Sequence, residues 1–245
     1  MGSFRIKGKQ RLKAYYRRRE VVGGYLRERF ESPLGRFQNR NQIRFLKGCI
    51  LKYKPTSVLE LACGPARVTT HIGSKGIALD SSPEMLKEAK TKLEGRGRWD
   101  LVRGDVFFLP FKEGVLPMVF TLRFIRHFNL KERKEVFSEI RRVLSPRGLF
   151  IFDVPNYLTE YPIRLKQGLD RYPIYDHLWK EEELVGEMAQ NGFLVVEMWG
   201  NIHHYRVQAI LSKLNLGPLS SALIRMAEFF KRSEPLEWLA LCQKG

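Results

Sequence analysis

Three carboxylates and one turn of small residues carry the chemistry legible in this chain. Glu60 closes the apolar run Val58-Leu59 and precedes Leu61-Ala62-Cys63-Gly64-Pro65-Ala66-Arg67. Sixteen residues past Gly64, the stretch Gly76-Ile77-Ala78-Leu79 ends in Asp80. A third carboxylate, Asp105, follows Gly104 and precedes Val106. Small residues where a strand turns into the next element let the backbone approach a ligand closely. A carboxylate at the end of the following strand is placed to hydrogen-bond a ribose diol.

The charges narrow the ligand class. A dinucleotide site wants three glycines around the turn, so that a pyrophosphate can sit on exposed backbone N–H groups. Here Gly64 is flanked by Ala62 and Ala66, and Glu60 sits just before the turn. Glu60 would repel a pyrophosphate and suits a cationic ammonium. An ammonium, a ribose and no phosphate together describe S-adenosylmethionine (SAM).

With these residues in place, the chain resembles the class I SAM-dependent methyltransferases, close to the ubiquinone/menaquinone-biosynthesis type and the many small-molecule enzymes around it. The likeness runs from about Tyr53 to Asn156. Val58 to Ala66 resembles the first motif, and Asp80-Ser81-Ser82-Pro83-Glu84-Met85-Leu86 the acidic strand end with its helix. Gly104-Asp105-Val106 with Leu109-Pro110-Phe111 resembles the adenine-binding turn. Arg123 to Phe128 resembles the loop after strand four, and Gly148 to Asp153 strand five. Two departures stand out: Ala66 in place of a third glycine, and Pro117 where the family has an aspartate.

The resemblance implies a Rossmann-like α/β fold, a doubly wound and mostly parallel seven-stranded sheet. It implies SAM as cofactor and S-adenosylhomocysteine (SAH) as product. Glu60 is assigned to the methionyl ammonium, with Ala62, Cys63, Gly64 and Arg67 in the cofactor turn. Asp80, with Ser81 and Met85, is assigned to the ribose, and Asp105 with Val106 to the adenine. Cys63 reads as a small packing residue rather than a nucleophile.

Methyl transfer from a sulfonium asks the protein mainly for alignment and a dry pocket. A general base is needed when the acceptor must lose a proton early. His127, just past strand four, is the first candidate. His203 with His204 after strand six, and Tyr157 with Asp153 after strand five, come next. Arg123 and Arg126 could pair with an anionic acceptor. Asn-Pro-Pro-Tyr after strand four, a Pro-Cys or Thr-Cys for attack on cytosine, and the Lys-Asp-Lys-Glu set of ribose methyltransferases are all missing.

The elements that must position these residues alternate in type. Strands are expected near 57–61, 76–80, 99–103, 117–122, 148–153, 193–199 and 236–243, with the last antiparallel. Helices are expected near 65–72, 83–93, 131–144 and 180–191, the second with Ser82 as N-cap and Pro83 at its first position. Alternation of this kind implies a parallel sheet covered on both faces, with ligands at the C-terminal strand ends. Glu60, Asp80 and Asp105 should therefore gather on one edge.

Residues 55–245 form the expected methyltransferase domain, with insertions near 156–178 and 203–233. The first insertion is rich in tyrosine and reads as a lid or as packing. The second carries Leu219, Leu223, Met226, Phe229 and Phe230 at helical spacing. It reads as a lid helix, a homodimer face or a membrane-surface helix. Residues 1–54 form a basic arm with one or two helices between about 10 and 31 and another from about 38 to 52.

Charge is concentrated in that arm. The chain carries a net +17, yet residues 1–54 hold 16 Lys or Arg against three acids, a balance of +13. Such asymmetry points to RNA, an anionic surface or a phosphorylated substrate. No apolar run is long enough to cross a membrane. Cys49, Cys63 and Cys242 show no metal-ligand spacing, so no metal is expected, and a reducing cytoplasm is the default. Three functions follow: methyl transfer to a small-molecule or lipid-precursor acceptor, methyl transfer to RNA held by the arm, and RNA binding by a catalytically silent protein of the same fold.

Overall fold

The computed structural model describes residues 6–16, 18, 21, 24, 30–96, 98–214, 216–230 and 233–245. Within the basic arm, α1 is Lys9–Tyr16 and α2 is Pro33–Tyr53. Most of the helical stretch expected between Tyr16 and residue 31 lies outside the described residues.

Seven strands form one sheet: β1 Val58–Leu61, β2 Gly76–Asp80, β3 Trp99–Arg103, β4 Leu116–Thr121, β5 Leu144–Pro155, β6 Phe193–Asn201 and β7 Glu237–Lys244. Their spatial order is β3-β2-β1-β4-β5-β7-β6. Strands β1 to β5 pair in parallel, and β7 is antiparallel to both β5 and β6. Order reverses between β1 and β4, the crevice where open α/β sheets bind ligands.

Helix α3 (Pro83–Leu93) links β2 to β3, α4 (Leu130–Val143) links β4 to β5, and α6 (Glu181–Gln190) precedes β6. Local sequence starts them sharply. Ser82 Oγ accepts from Met85 N at 3.2 Å with Pro83 behind it, and Asn129 with Glu132 forms a reciprocal capping box on α4.

Alternation along the strands divides the core between two faces. Leu59, Leu61, Phe150 and Phe152 pack with Val136, Phe137 and Ile140 of α4. Val58, Met118, Phe120 and Ile151 face the other way, against Ile43, Leu46 and Cys49 of α2. Helix α2 is thus part of the sheet's cover as well as part of the basic arm. A buried polar clamp ties α4 to α6: Arg133 Nε lies 2.6 Å from Glu187 Oε1, and Trp179 Nε1 donates to Glu187 Oε2 at 2.8 Å.

Two local expectations change. The helix expected over 65–72 is a run of turns ending in a 3₁₀ turn, Thr69–His71. Ala66 is held at φ 57, which no α-helix tolerates, and Val68, Thr69 and Thr70 add β-branched crowding. Pro117 lies inside β4, and the pairing with β5 shifts register between Leu116 and Met118 to accommodate it.

Both insertions are helical. The first holds α5 (Tyr157–Gln167) and a 3₁₀ turn at Leu169–Arg171. The second is a pair, α7 (Tyr205–Lys213) and α8 (Pro218–Phe229), packed through Ile224 on Phe37, Ile202 and Leu236. Its outer side leaves Ile210, Leu219, Met226 and Phe229 exposed.

Candidate functional site

The turn after β1 is built from left-handed residues. Ala62, Gly64 and Ala66 have φ of 52, 54 and 57. Alanine resists that conformation, so surrounding contacts must hold it. Cys63 N donates to Leu79 O and Ala66 N to Cys63 O, each at 3.1 Å. Asp80 completes the clamp: Oδ2 accepts from Gly64 N and Oδ1 from Ser82 N, both at 2.8 Å. Burial raises the Asp80 carboxyl above its ordinary range, opposed by the N–H groups of Ser82, Gly64 and Ser81.

This clamp opens onto a cavity of about 80 Å³. Ala62, Gly64, Asp80, Ser81 and Met85 form one wall, and Asp105, Val106 and Phe107 the next. Arg123, Phe124 and His127, from the loop after β4, form the third. Helix α1 lies across the opening with Lys9, Leu12, Lys13 and Tyr16. Lys13 Nζ meets Asp105 Oδ2 at 2.5 Å, and Lys9 Nζ stands 4.5 Å from the centre of the Phe107 ring. Small-molecule sites generally enclose about 300 Å³ or more, so α1 fills space that a nucleoside-sized ligand would need.

A second cavity, of about 410 Å³, adjoins the first and shares Arg123 and His127 with it. Its far wall comes from the first insertion, including Glu160, Arg164, Tyr172 and Asp176, and Tyr205 of α7 joins them.

His127 is buried between these spaces. Its Nδ1 lies 3.1 Å from Tyr175 O and 2.8 Å from Asp176 Oδ1. The backbone carbonyl is the aligned acceptor; the carboxylate oxygen is close but off the hydrogen-bond line, an electrostatic contact. Both neighbours are acceptors, so Nδ1 carries a proton. Tyr16 Oη lies 3.5 Å from Nε2. Burial alone would raise the Asp176 carboxyl, but His127, Arg126 and Arg164 outweigh it and hold it well below the usual carboxylate range.

The remaining sequence-derived candidates fall elsewhere. Glu60 is fully buried behind the turn, accepts from Thr69 Oγ1 at 2.5 Å, and is outside the cavity wall. Burial pushes its carboxyl up to about 7. Arg67 donates to Asn39 and to Gln42 Oε1, the latter at 3.0 Å, and Cys63 is buried with its thiol pushed up by burial. Tyr157 stacks on Tyr161 with ring centres 4.9 Å apart. His203 Nδ1 pairs with Glu228 Oε1 at 2.7 Å, and His204 contacts Phe230 O. Neither Tyr157 nor His203 joins His127 at the cavities. Asp153 is buried and receives Arg123 N and the Arg126 guanidinium. Asp176, Lys13 and Tyr16 were not singled out from sequence; each lies 49 residues or more from its site partner, and no local pattern marks such pairs.

The residues present fit a SAM-type nucleoside. A Cβ built on Gly64 meets nothing nearer than Met85 Sδ at 4.0 Å, so the clamp faces open space there. Asp80, with both oxygens already aligned by backbone donors, keeps free lone pairs for a ribose diol.

Known proteins point the same way. The family described as methyltransferase domain matches residues 58–148. An uncharacterized methyltransferase of Synechocystis is 30% identical over 148 residues, covering 57% of this chain and 67% of that protein. A malonyl-[acyl-carrier protein] O-methyltransferase of Legionella pneumophila is 31% identical over 107 residues, 42% of this chain. The match spans 37% of the Legionella protein's own length. A SAM-dependent methyltransferase structure from Thermotoga maritima shares the fold, with a TM-score of 0.68 at 16% identity over 92% of this chain and 97% of that one.

Proposed function

The chain belongs to the class I SAM-dependent methyltransferases, and from that premise we propose that it methylates a small-molecule or lipid-precursor acceptor. The observation that carries the acceptor class is the cavity of about 410 Å³ joined to the cofactor cavity at Arg123 and His127. A recess of that size, walled by the first insertion, suits a small molecule.

In this reading Asp80 holds the ribose, Asp105 and Val106 the adenine, and the Ala62–Gly64 backbone the methionyl end, with Glu60 behind it. The bound donor supplies an activated methyl group. The protein aligns the acceptor and excludes water. His127 Nε2 takes the proton when the acceptor is a hydroxyl or amine, with Tyr175 O fixing the ring.

Two measurements test the reading. Calorimetric titration with SAH should show binding that weakens at least about tenfold in Asp80→Ala, because the ribose contact and the turn are lost together. Methyl label from SAM should then pass, in a cell extract, into a metabolite or lipid fraction. Label confined to a nuclease-sensitive RNA fraction would replace the small acceptor with RNA and give the basic arm its partner. SAH binding without any label transfer would leave a silent binding protein.

A further inference from the structure

We infer that the cavity beside His127 receives an acceptor bearing a carboxylate, held by the guanidinium of Arg123. The inference rests on the methyl-transfer reading above and adds the acceptor's charge to it.

Charge accounting in the wall leads there. Of the four arginines in that wall, Arg171 is exposed to solvent and two are already neutralised. Arg126 is 3% exposed and pairs with Asp153, with Glu237 3.5 Å away. Arg164 pairs with Glu160 at 2.8 Å and Asp176 at 2.9 Å. Arg123 has no carboxylate within ion-pair distance among the described residues; Glu237 feels its charge only at longer range. Its one side-chain contact of note is the Phe30 ring, 5.6 Å from Cζ. The Nε atoms of Arg123 and Arg126 are both buried with no hydrogen-bond partner among the described residues. Buried donors of this kind cost stability when left unmet.

Position makes Arg123 the binding group. It is the arginine that lines both cavities, beside His127. Its backbone sits at φ 62, a strained conformation for a side chain of this size. Buried Asp153 accepts from Arg123 N and is fixed in turn by Arg126. The strain is thus held by a built support, and it leaves the guanidinium at the junction of donor and acceptor spaces. A planar fork of donors matches a carboxylate in two parallel bonds.

Matched probes decide the matter. The full chain, loaded with SAH, is titrated calorimetrically with benzoate against benzamide and with 3-phenylpropionate against its amide. Each pair keeps shape and removes charge. The carboxylate should bind at least about tenfold tighter than its amide in the wild type, and Arg123→Met should reduce the ratio to about twofold or less. Arg123→Lys, which keeps the charge and loses the fork, should fall between. Equal binding of acid and amide, failure of both to bind, or a preference that survives Arg123→Met overturns the inference. Wild-type SAH affinity is read in the same cell. Its absence would sink the methyltransferase reading, whereas intact SAH binding without carboxylate preference sinks only this one.

Discussion

Glu60→Gln should make the folded protein more stable above neutral pH and change little at low pH. The Glu60 carboxyl is fully buried, and burial pushes it from 4.5 to about 7, with Asp80 adding to the rise while Thr69 and Arg67 oppose it. Between those two values the folded chain keeps the proton and the unfolded chain loses it. Stability therefore falls as pH rises through the window from 4.5 to about 7, then levels off. The ionised group costs on the order of 3 kcal/mol once the pH is above both values. Glutamine removes that ionisation and keeps a carbonyl to accept from Thr69 Oγ1. Urea unfolding of both proteins, without ligand, at a series of pH values gives the test. The stability of the variant minus that of the wild type should climb by about 3 kcal/mol across the window. Glu237, whose carboxyl is also raised chiefly by burial, is present in both proteins and drops out of the difference. A difference that stays flat with pH would refute the reasoning, since it would mean that Glu60 is solvated or paired in the folded chain.

Three further outcomes are expected. Lys13→Met should tighten SAH binding up to about fivefold, because the partly exposed pair with Asp105 is worth at most about 1 kcal/mol; calorimetry should show the gap closing at high salt, and unchanged or weaker binding at low salt would show that Lys13 does not compete for Asp105. Gly76→Ala should cost about 1–3 kcal/mol in urea unfolding, since the new Cβ would lie 2.6 Å from Val58 O and 2.8 Å from the Trp99 ring; a neutral result would mean that β2 can shift away from β1. Arg133→Ala should cost about 3–5 kcal/mol in the same assay, because it strands Glu187 in the core with Trp179 Nε1 as its remaining side-chain donor; a loss below about 1 kcal/mol would show that water reaches Glu187.

Strand positions, the strand-end place of Asp80 and the start of α3 were legible because each is written within a few residues. Ser82-Pro83 announces α3, and the small-residue turn with an acid sixteen positions on announces the turn that Asp80 closes. The missing helix after Gly64 shows the limit of reasoning from strand–helix alternation: a helix is expected over 65–72, but tethering Gly64 N and Cys63 N to β2 leaves Ala66 left-handed. His127 was found from its place after β4, whereas Tyr157 and His203 were chosen from strand ends alone and are taken up by partners of their own. Asp176, in a tyrosine-rich stretch, looked like loop sequence. What makes it part of the site is a backbone bridge from Ile6 to Ile174 and a bond from His177 N to Arg126 O. Such contacts bring distant segments together and leave no periodic trace.

The basic arm takes on a different meaning once its contacts are laid out. A net +13 over residues 1–54 suggests a cation-rich surface awaiting a polyanion. Yet two partly exposed lysines of α1 already have partners: Lys13 has Asp105, and Lys9 has Phe107 and, at 3.5 Å, Glu135. A lysine held by Asp105 cannot also neutralise a phosphate. Adenine bound at Asp105 would displace Lys13 and return one cation to the rim of a cavity that already holds Arg123 without a carboxylate. On the proposed reading, then, a bound donor nucleoside would favour the acceptor carboxylate. It opens the space that α1 fills, and it raises the positive charge that an acceptor carboxylate meets. An acceptor bound first would meet Lys13 still held by Asp105 and a less positive rim. Donor binding and acceptor charge are therefore coupled through the Lys13–Asp105 contact of the basic arm.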